Sequence, residues 1–144
     1  MQREVKLRFG QTGSGKSYGA AQFFQTLPRA IVAECGYDEF PAVRFDDFPT
    51  MVNHLERVGA FTNPNAPFRV SYTPRIAEYG LIFDIALEAG NCWLFLEEAD
   101  RFGDPRNEWS YDEVITRGRH RGISICALSL LPFKLPIDLR RQAT

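Results

Sequence analysis

The stretch Gly10-Gln11-Thr12-Gly13-Ser14-Gly15-Lys16-Ser17 satisfies the pattern G-x-x-x-x-G-K-[S/T]. That pattern constrains the fold because it works only between a strand and a helix. The glycines let the backbone turn so that successive N–H groups converge on an anion, and the helix behind them presents its positive end to the same anion. Both flanks are present. Val5 to Phe9 alternates apolar and basic residues before a glycine, as a strand ending in a turn does. Ala20, Phe23, Phe24 and Leu27 recur at i, i+3, i+4 and i+7, one face of a helix that Pro28 ends. In that context Gly10, Gln11, Thr12, Gly13, Ser14 and Gly15 form a cradle for the phosphates of a nucleoside triphosphate. Lys16 is expected to reach the β- and γ-phosphates, and the Ser17 hydroxyl to ligate Mg²⁺. A glycine-rich turn that merely precedes a helix is the bland alternative.

The rest of the chain keeps the same rhythm. Ala30 to Ala33 reads as a second strand. Pro49 opens a helix with Met51, Val52, Leu55 and Val58 on its inner side and Gly59 at its end. Thr62 to Pro67 is a loop by composition, and Phe68 to Tyr72 alternates like a strand. Thr73-Pro74 predicts the start of a helix carrying Ile76, Tyr79, Phe83 and Ala86, closed by Gly90. Cys92 to Leu96 is a continuous apolar run, as expected of a strand buried on both faces. Ser110 and Glu113 match a capping box for a short helix ending near Gly118, and Ile123 to Leu131 is again apolar throughout. No repeat, linker or low-complexity segment interrupts the alternation. Residues 1–144 are therefore expected to form one α/β domain, a parallel sheet with helices on both faces.

Composition excludes several classes. No apolar run approaches the roughly 20 residues that cross a bilayer, and the N-terminus has no apolar stretch of signal-peptide length, so a cytoplasmic protein is expected. The formal net charge of -1 gives no global attraction to nucleic acid, so any contact with it must come from a local patch. Cys35, Cys92 and Cys126 form no metal-type pair, and the last two fall in apolar runs where a free cysteine behaves as a small hydrophobe.

A second chemical signal is the stretch from Cys92 to Asp100, a buried strand delivering Glu97 and Glu98 at its C-terminal end. Open α/β sheets bind ligands at that edge. One carboxylate there can hold Mg²⁺ through its water shell, and its neighbour can polarise an attacking water. The alternative is an acidic, solvated loop. A third signal is Arg117, Arg119, His120 and Arg121, clustered between the short helix and the last strand. They complement a helix C-terminus, or they meet an anion, either a neighbouring subunit's nucleotide or a DNA phosphate. Ser129, at the tip of the last strand, either senses the γ-phosphate or satisfies backbone. Tyr18, Phe23 and Phe24 read as core and as surroundings of an adenine.

Taken together, the phosphate loop, the strand ending in Glu97-Glu98 and the stretch from Arg117 to Pro132 resemble the FtsK–HerA superfamily of P-loop motor ATPases. Within it, viral genome-packaging ATPases are the nearest match. The resemblance runs from Arg8 to about Ala143 and implies a RecA-like (ASCE) P-loop fold. It makes Lys16 and Ser17 the phosphate and Mg²⁺ contacts, Glu97 the Mg²⁺-side carboxylate and Glu98 the glutamate that activates water. Arg117 or Arg119 would be an arginine finger acting in trans. It further implies a homo-oligomeric ring, hexamer or pentamer, with ATP between subunits and double-stranded DNA in the channel. A capsid portal or vertex protein would be a partner, and the host cytoplasm or the virion the location. Two departures stand out. Ser129 is followed by Leu130, where the family carries a polar pair ending in glutamine, and the chain stops at Thr144 where relatives continue, as a compact or shortened domain would.

Three other readings share the phosphate loop. A small-molecule or nucleotide kinase would need an acceptor pocket and a lid, and the adjacent carboxylates favour water over a bound acceptor. A soluble secretion or phage-assembly ATPase would act on protein. A nucleotide-binding interaction module would lack turnover.

Overall fold

The computed structural model describes residues 5–9, 16–34, 40–75, 78–97 and 111–129. In chain order the elements are β1 (Val5–Phe9), α1 (Lys16–Phe24), β2 (Arg29–Ala33), β3 (Val43–Phe45), α2 (Phe48–Arg57), β4 (Phe68–Tyr72), α3 (Tyr79–Ala89), β5 (Cys92–Leu96), α4 (Tyr111–Arg121) and β6 (Ile123–Ser129). The strands form one sheet in the order β1-β6-β5-β2-β4-β3, and every ladder is parallel.

Handedness then assigns the helices to faces. From β3 to β4, β4 to β5 and β5 to β6 the chain moves along the sheet in one direction, and from β1 to β2 in the other. Right-handed crossovers must therefore put α2, α3 and α4 over one face and α1 over the other. The two cores agree. Met51, Leu55, Ile82 and Phe83 pack with Ile31, Val70, Leu94 and Ile125 on one side. Ala20 and Phe24 pack with Val32, Phe95 and Leu128 on the other. Strands β2 and β5 are buried at every position, which is why they read as unbroken apolar runs.

Three expectations change. β3 was not expected, because three residues with mostly exposed side chains carry no period. It forms by adding to the edge of β4. The described α-helix after β4 starts at Tyr79, not at Thr73-Pro74. The Glu78 carboxylate accepts from the Arg75 N–H (2.8 Å) and the Tyr72 hydroxyl (2.9 Å), and the Glu78 N–H donates to the Arg75 carbonyl (2.8 Å). A tight turn thus uses the groups that a first helical turn would need. Ile76 lies outside the described residues. Finally, α4 runs through Gly118 to Arg121. Gly118 marks close approach rather than a stop, since a Cβ there would lie 3.2 Å from the Ile123 Cβ. The chain leaves the helix one residue past Arg121, at Gly122, where φ is +71°. Ser110, the first residue of the expected capping box, lies outside the described residues.

Two arginines organise the N-terminal edge of the sheet. Arg29, the first residue of β2, is only 3% exposed. Its guanidinium donates to the carbonyls of Asn91 (3.1 Å), Asn63 (2.9 Å), Ala66 (2.6 Å), Ala60 (3.0 Å), Ala89 (3.0 Å) and Gly90 (3.1 Å). Its flat side lies 4.7 Å over the Phe68 ring. Burial pulls its pKa below the ordinary value, but an arginine stays charged through such shifts. Arg121 does related work, donating to the carbonyls of Leu87 (2.8 Å) and Glu88 (3.1 Å). With the Gly90 N–H on the Ala86 carbonyl (2.9 Å), the last four carbonyls of α3 all have donors. Those are the groups a helix end leaves unsatisfied, and the two guanidinium charges sit at its negative pole.

Arg29→Met should destabilise the fold by about 3 kcal/mol or more, because several buried carbonyls lose their donor together. Arg29→Lys should recover only part of this, since three donors replace five in a fixed fork. Arg121→Ala should cost less, about 1–2 kcal/mol, its two carbonyls lying nearer to water. Urea denaturation of the variants checks the order.

Candidate nucleotide site

β1 and β6 are in register from Val5 with Ile125 to Phe9 with Ser129, and β5 pairs with β6 up to Leu96 with Ala127. Three adjacent strands thus end on one edge, the carboxyl edge at which open α/β sheets bind ligands. Past that edge Lys16, Ser17 and Tyr18 form the first turn of α1. Residues 10–15 and Glu98 lie outside the described residues. α1 is anchored by aromatic contacts beneath it. Phe24 meets Phe95 and Phe40 edge-on at 5.2 and 5.3 Å, and Phe23 meets Trp93 at 5.0 Å. Such pairs add about 0.5–1.5 kcal/mol each beyond area burial. They hold the helix start in place over the end of the sheet, and they bear out the reading of Phe23 and Phe24 as core.

Glu97 follows directly on β5 and is 4% exposed. Its N–H donates to the Ala33 carbonyl (3.1 Å), so the ladder with β2 extends through it. Trp93 and Phe95 belong to the core under α1, and strand alternation carries Glu97 to that same face. Two ladder steps, about 10 Å, separate β1 from β5. The helix start bearing Lys16 and Ser17 and the buried carboxylate of Glu97 therefore share one face and one edge. The buried carboxylate of Glu97 is a hard oxygen donor of the kind that Mg²⁺ takes.

A second buried carboxylate escaped the sequence reading. Glu34 is 1% exposed and follows β2 as Glu97 follows β5. Ala33 and Leu96 are paired across the ladder, so the two glutamates are neighbours on adjacent strand ends. Glu34 accepts from the Phe40 N–H (3.0 Å), and its carboxylate lies 3.5 Å from the Arg44 guanidinium. The signal was there: Ile31-Val32-Ala33-Glu34 is an apolar run ending in glutamate, the pattern that singled out Glu97. The boundary between β2 and β5 is also where connections diverge, β2 leading toward β3 and β5 toward β6. That is a topological switch point, where a crevice opens.

The basic cluster lies at the N-terminal edge of the sheet. Arg117, Arg119, His120 and Arg121 occupy the last turns of α4, which returns the chain to the start of β6. α4, about 16 Å long, descends to that edge, opposite the one on which α1 starts. The cause is connectivity, since a helix joining parallel strands runs back against them. Arg121 caps α3, as described. Arg117 lines a cavity of about 540 Å³ between α3 and α4, together with Asp84, Glu88 and His120. Arg119, two positions from Arg117 and so about 200° around the helix, is exposed on the other side.

Ser129 closes β6 level with Phe9. Cys92 and Cys126 are buried and outside any disulfide, and burial pushes the Cys92 thiol up to about 12, which leaves it inert. Among the described residues there is no cluster of metal-ligating His, Cys, Asp and Glu, and no helix long and apolar enough to cross a membrane.

No family model matches the chain, and no curated protein does. Solved structures do. The genome-packaging NTPase B204 of Sulfolobus turreted icosahedral virus 2 in complex with AMP aligns with a TM-score of 0.69 at 17% identity, covering 99% of this chain and 73% of its own. The same enzyme with ATP-gammaS aligns at 0.69 and 15% identity, covering 98% and 71%. The DNA-packaging ATPase B204 of Sulfolobus turreted icosahedral virus aligns at 0.61 and 16%, covering 99% and 74%. With the parallel sheet and flanking helices, these likenesses establish the fold as the P-loop NTPase type of α/β domain.

Proposed function

We propose that this chain is the ATPase subunit of a motor that packages double-stranded DNA into a viral capsid. The observation that carries the reading is that α1 starts, and Glu97 lies buried, on one face of the carboxyl edge. The fold likeness to viral genome-packaging NTPases bound to adenine nucleotides supports the same reading. Residues 10–15 would wrap the phosphates, Lys16 would bind the β- and γ-phosphates, and Tyr18 would lie on the adenine side. Mg²⁺ held by Ser17 and Glu97 would neutralise charge on the transferred phosphoryl group. Glu98 would orient the attacking water and accept its proton. Ser129, at the end of the strand between β1 and β5, would sense the γ-phosphate.

An arginine of α4 would complete the nucleotide site of a neighbouring subunit in trans. Arg119 suits that role better than Arg117, which lines the cavity against α3. A ring of subunits with ATP at each interface, assigned to the FtsK–HerA superfamily, would work in host cytoplasm or virion against a portal or vertex protein. Binding to DNA would be independent of sequence and steeply dependent on salt.

ATP turnover per subunit should rise with protein concentration and again with duplex DNA. A flat rate blind to DNA overturns the motor reading. Lys16→Ala should abolish nucleotide binding and turnover. Glu98→Gln should keep binding but lower turnover by about 10²-fold or more, as expected when a positioned base is lost. Arg119→Ala should lower turnover by about 10³-fold, and Arg117→Ala by far less. Mixing Arg119→Ala with Lys16→Ala subunits should restore part of the rate if the arginine acts in trans.

A further inference from the structure

The helix on the α1 side of the sheet does not cover all of it. The core beneath α1 draws its strand residues from β2, β5 and β6, and from neither β4 nor β3. Over those two strands the side chains that point toward the α1 side include arginines. Val70 and Tyr72 of β4 and Phe45 of β3 pack into the opposite core, so alternation turns Arg69 and Arg44 the other way. Arg44 is in register with Ser71, two residues along from Arg69, so the two guanidinium groups sit on neighbouring strands of one face. Both line an open groove of about 700 Å³, with His54 of α2 and the exposed Val43 at its side. No carboxylate among the described residues lines it.

The arginines are held, but their charge is not cancelled equally. Arg69 donates to the Gln25 carbonyl, a neutral acceptor that anchors the side chain and leaves its full charge. Arg44 donates to the Phe40 carbonyl (2.8 Å), and its guanidinium lies 3.5 Å from Glu34, which offsets part of its charge. A guanidinium has five N–H donors, so Arg69 retains some for an outside acceptor. Holding by backbone carbonyls also lowers the ordering cost of binding an anion.

We propose that this groove binds the phosphate backbone of duplex DNA, with Arg69 as the main contact and Arg44 beside it. The choice of DNA rests on the packaging reading. The groove itself supplies the charge complementarity, and its volume far exceeds what a single phosphate ion fills, as a chain of phosphates requires. The contact reads no base edge, because guanidinium contacts to phosphate oxygens position a duplex without reading its sequence.

The test is binding of the full chain to a labelled duplex of mixed sequence across a salt series. Arg69→Gln should weaken binding several-fold at low salt and reduce the slope of log affinity against log salt by about one. Arg69→Lys should restore the slope. Arg57→Gln, an exposed arginine of α2 outside the groove, should change neither. The proposal fails if Arg69→Gln binds like wild type, if Arg57→Gln loses as much, or if wild type binds no duplex. It also fails if polyglutamate displaces the duplex from wild type and from Arg69→Gln alike. An absence of ATP turnover together with Arg69-dependent duplex binding would overturn the motor reading and leave the groove standing.

Discussion

Much of this fold depends on one buried cation. Arg29 starts β2, the strand nearest the middle of the sheet among those that α1 leads into, and it holds six carbonyls from two separate connections. One connection joins α2 to β4 and the other joins α3 to β5. Both are turns whose carbonyls point inward, and a buried carbonyl without a donor costs about 1–3 kcal/mol. A single planar fork answers them together, which no other side chain can do at that position. It thereby sets where α3 ends, and hence where β5 begins.

The consequence is a division of labour between the two edges of the sheet. At the N-terminal edge, Arg29 and Arg121 are spent on satisfying helix-end carbonyls, and the connections there are tight. The carboxyl edge is built differently. Glu34 and Glu97 are carried into burial by strands that are apolar on both faces. Taking a carboxylate out of water is costly unless it is paired, hydrogen-bonded or bound to a cation. Glu34 meets this cost with the Phe40 N–H and the Arg44 guanidinium, and it stands beside Glu97 at the edge where α1 starts. Stability is concentrated at the other end.

Much of this was legible before any coordinates. The strand and the helix at the start were readable because two different apolar periods flank a glycine pattern within twenty or so residues. β5 was readable because a strand covered on both faces must be apolar throughout. β3 was not, because its three residues gain their strand geometry only from β4 beside them. The start of α3 was misjudged because Thr73-Pro74 carries good capping chemistry, yet the Glu78 side chain reaches back to Tyr72 and Arg75 and captures the turn. Gly118 was misjudged as a stop because a glycine required for close packing looks the same in sequence as one required for a positive φ.

By itself the sequence determined the local chemistry: a cradle for phosphates, a carboxylate at a strand end, a cluster of arginines and an α/β rhythm. These depend on residues near one another in the chain, where periodicity and turn chemistry act directly. Only the tertiary structure decided which edge each group occupies. It brought Glu34 beside Glu97, across 62 intervening residues. It carried the α4 arginines to the N-terminal edge, and it set Arg44 and Arg69 side by side on one face, lining one groove. The physical reason is that strand order and crossover hand are settled by packing between distant segments, and no local pattern encodes which strand will lie next to which.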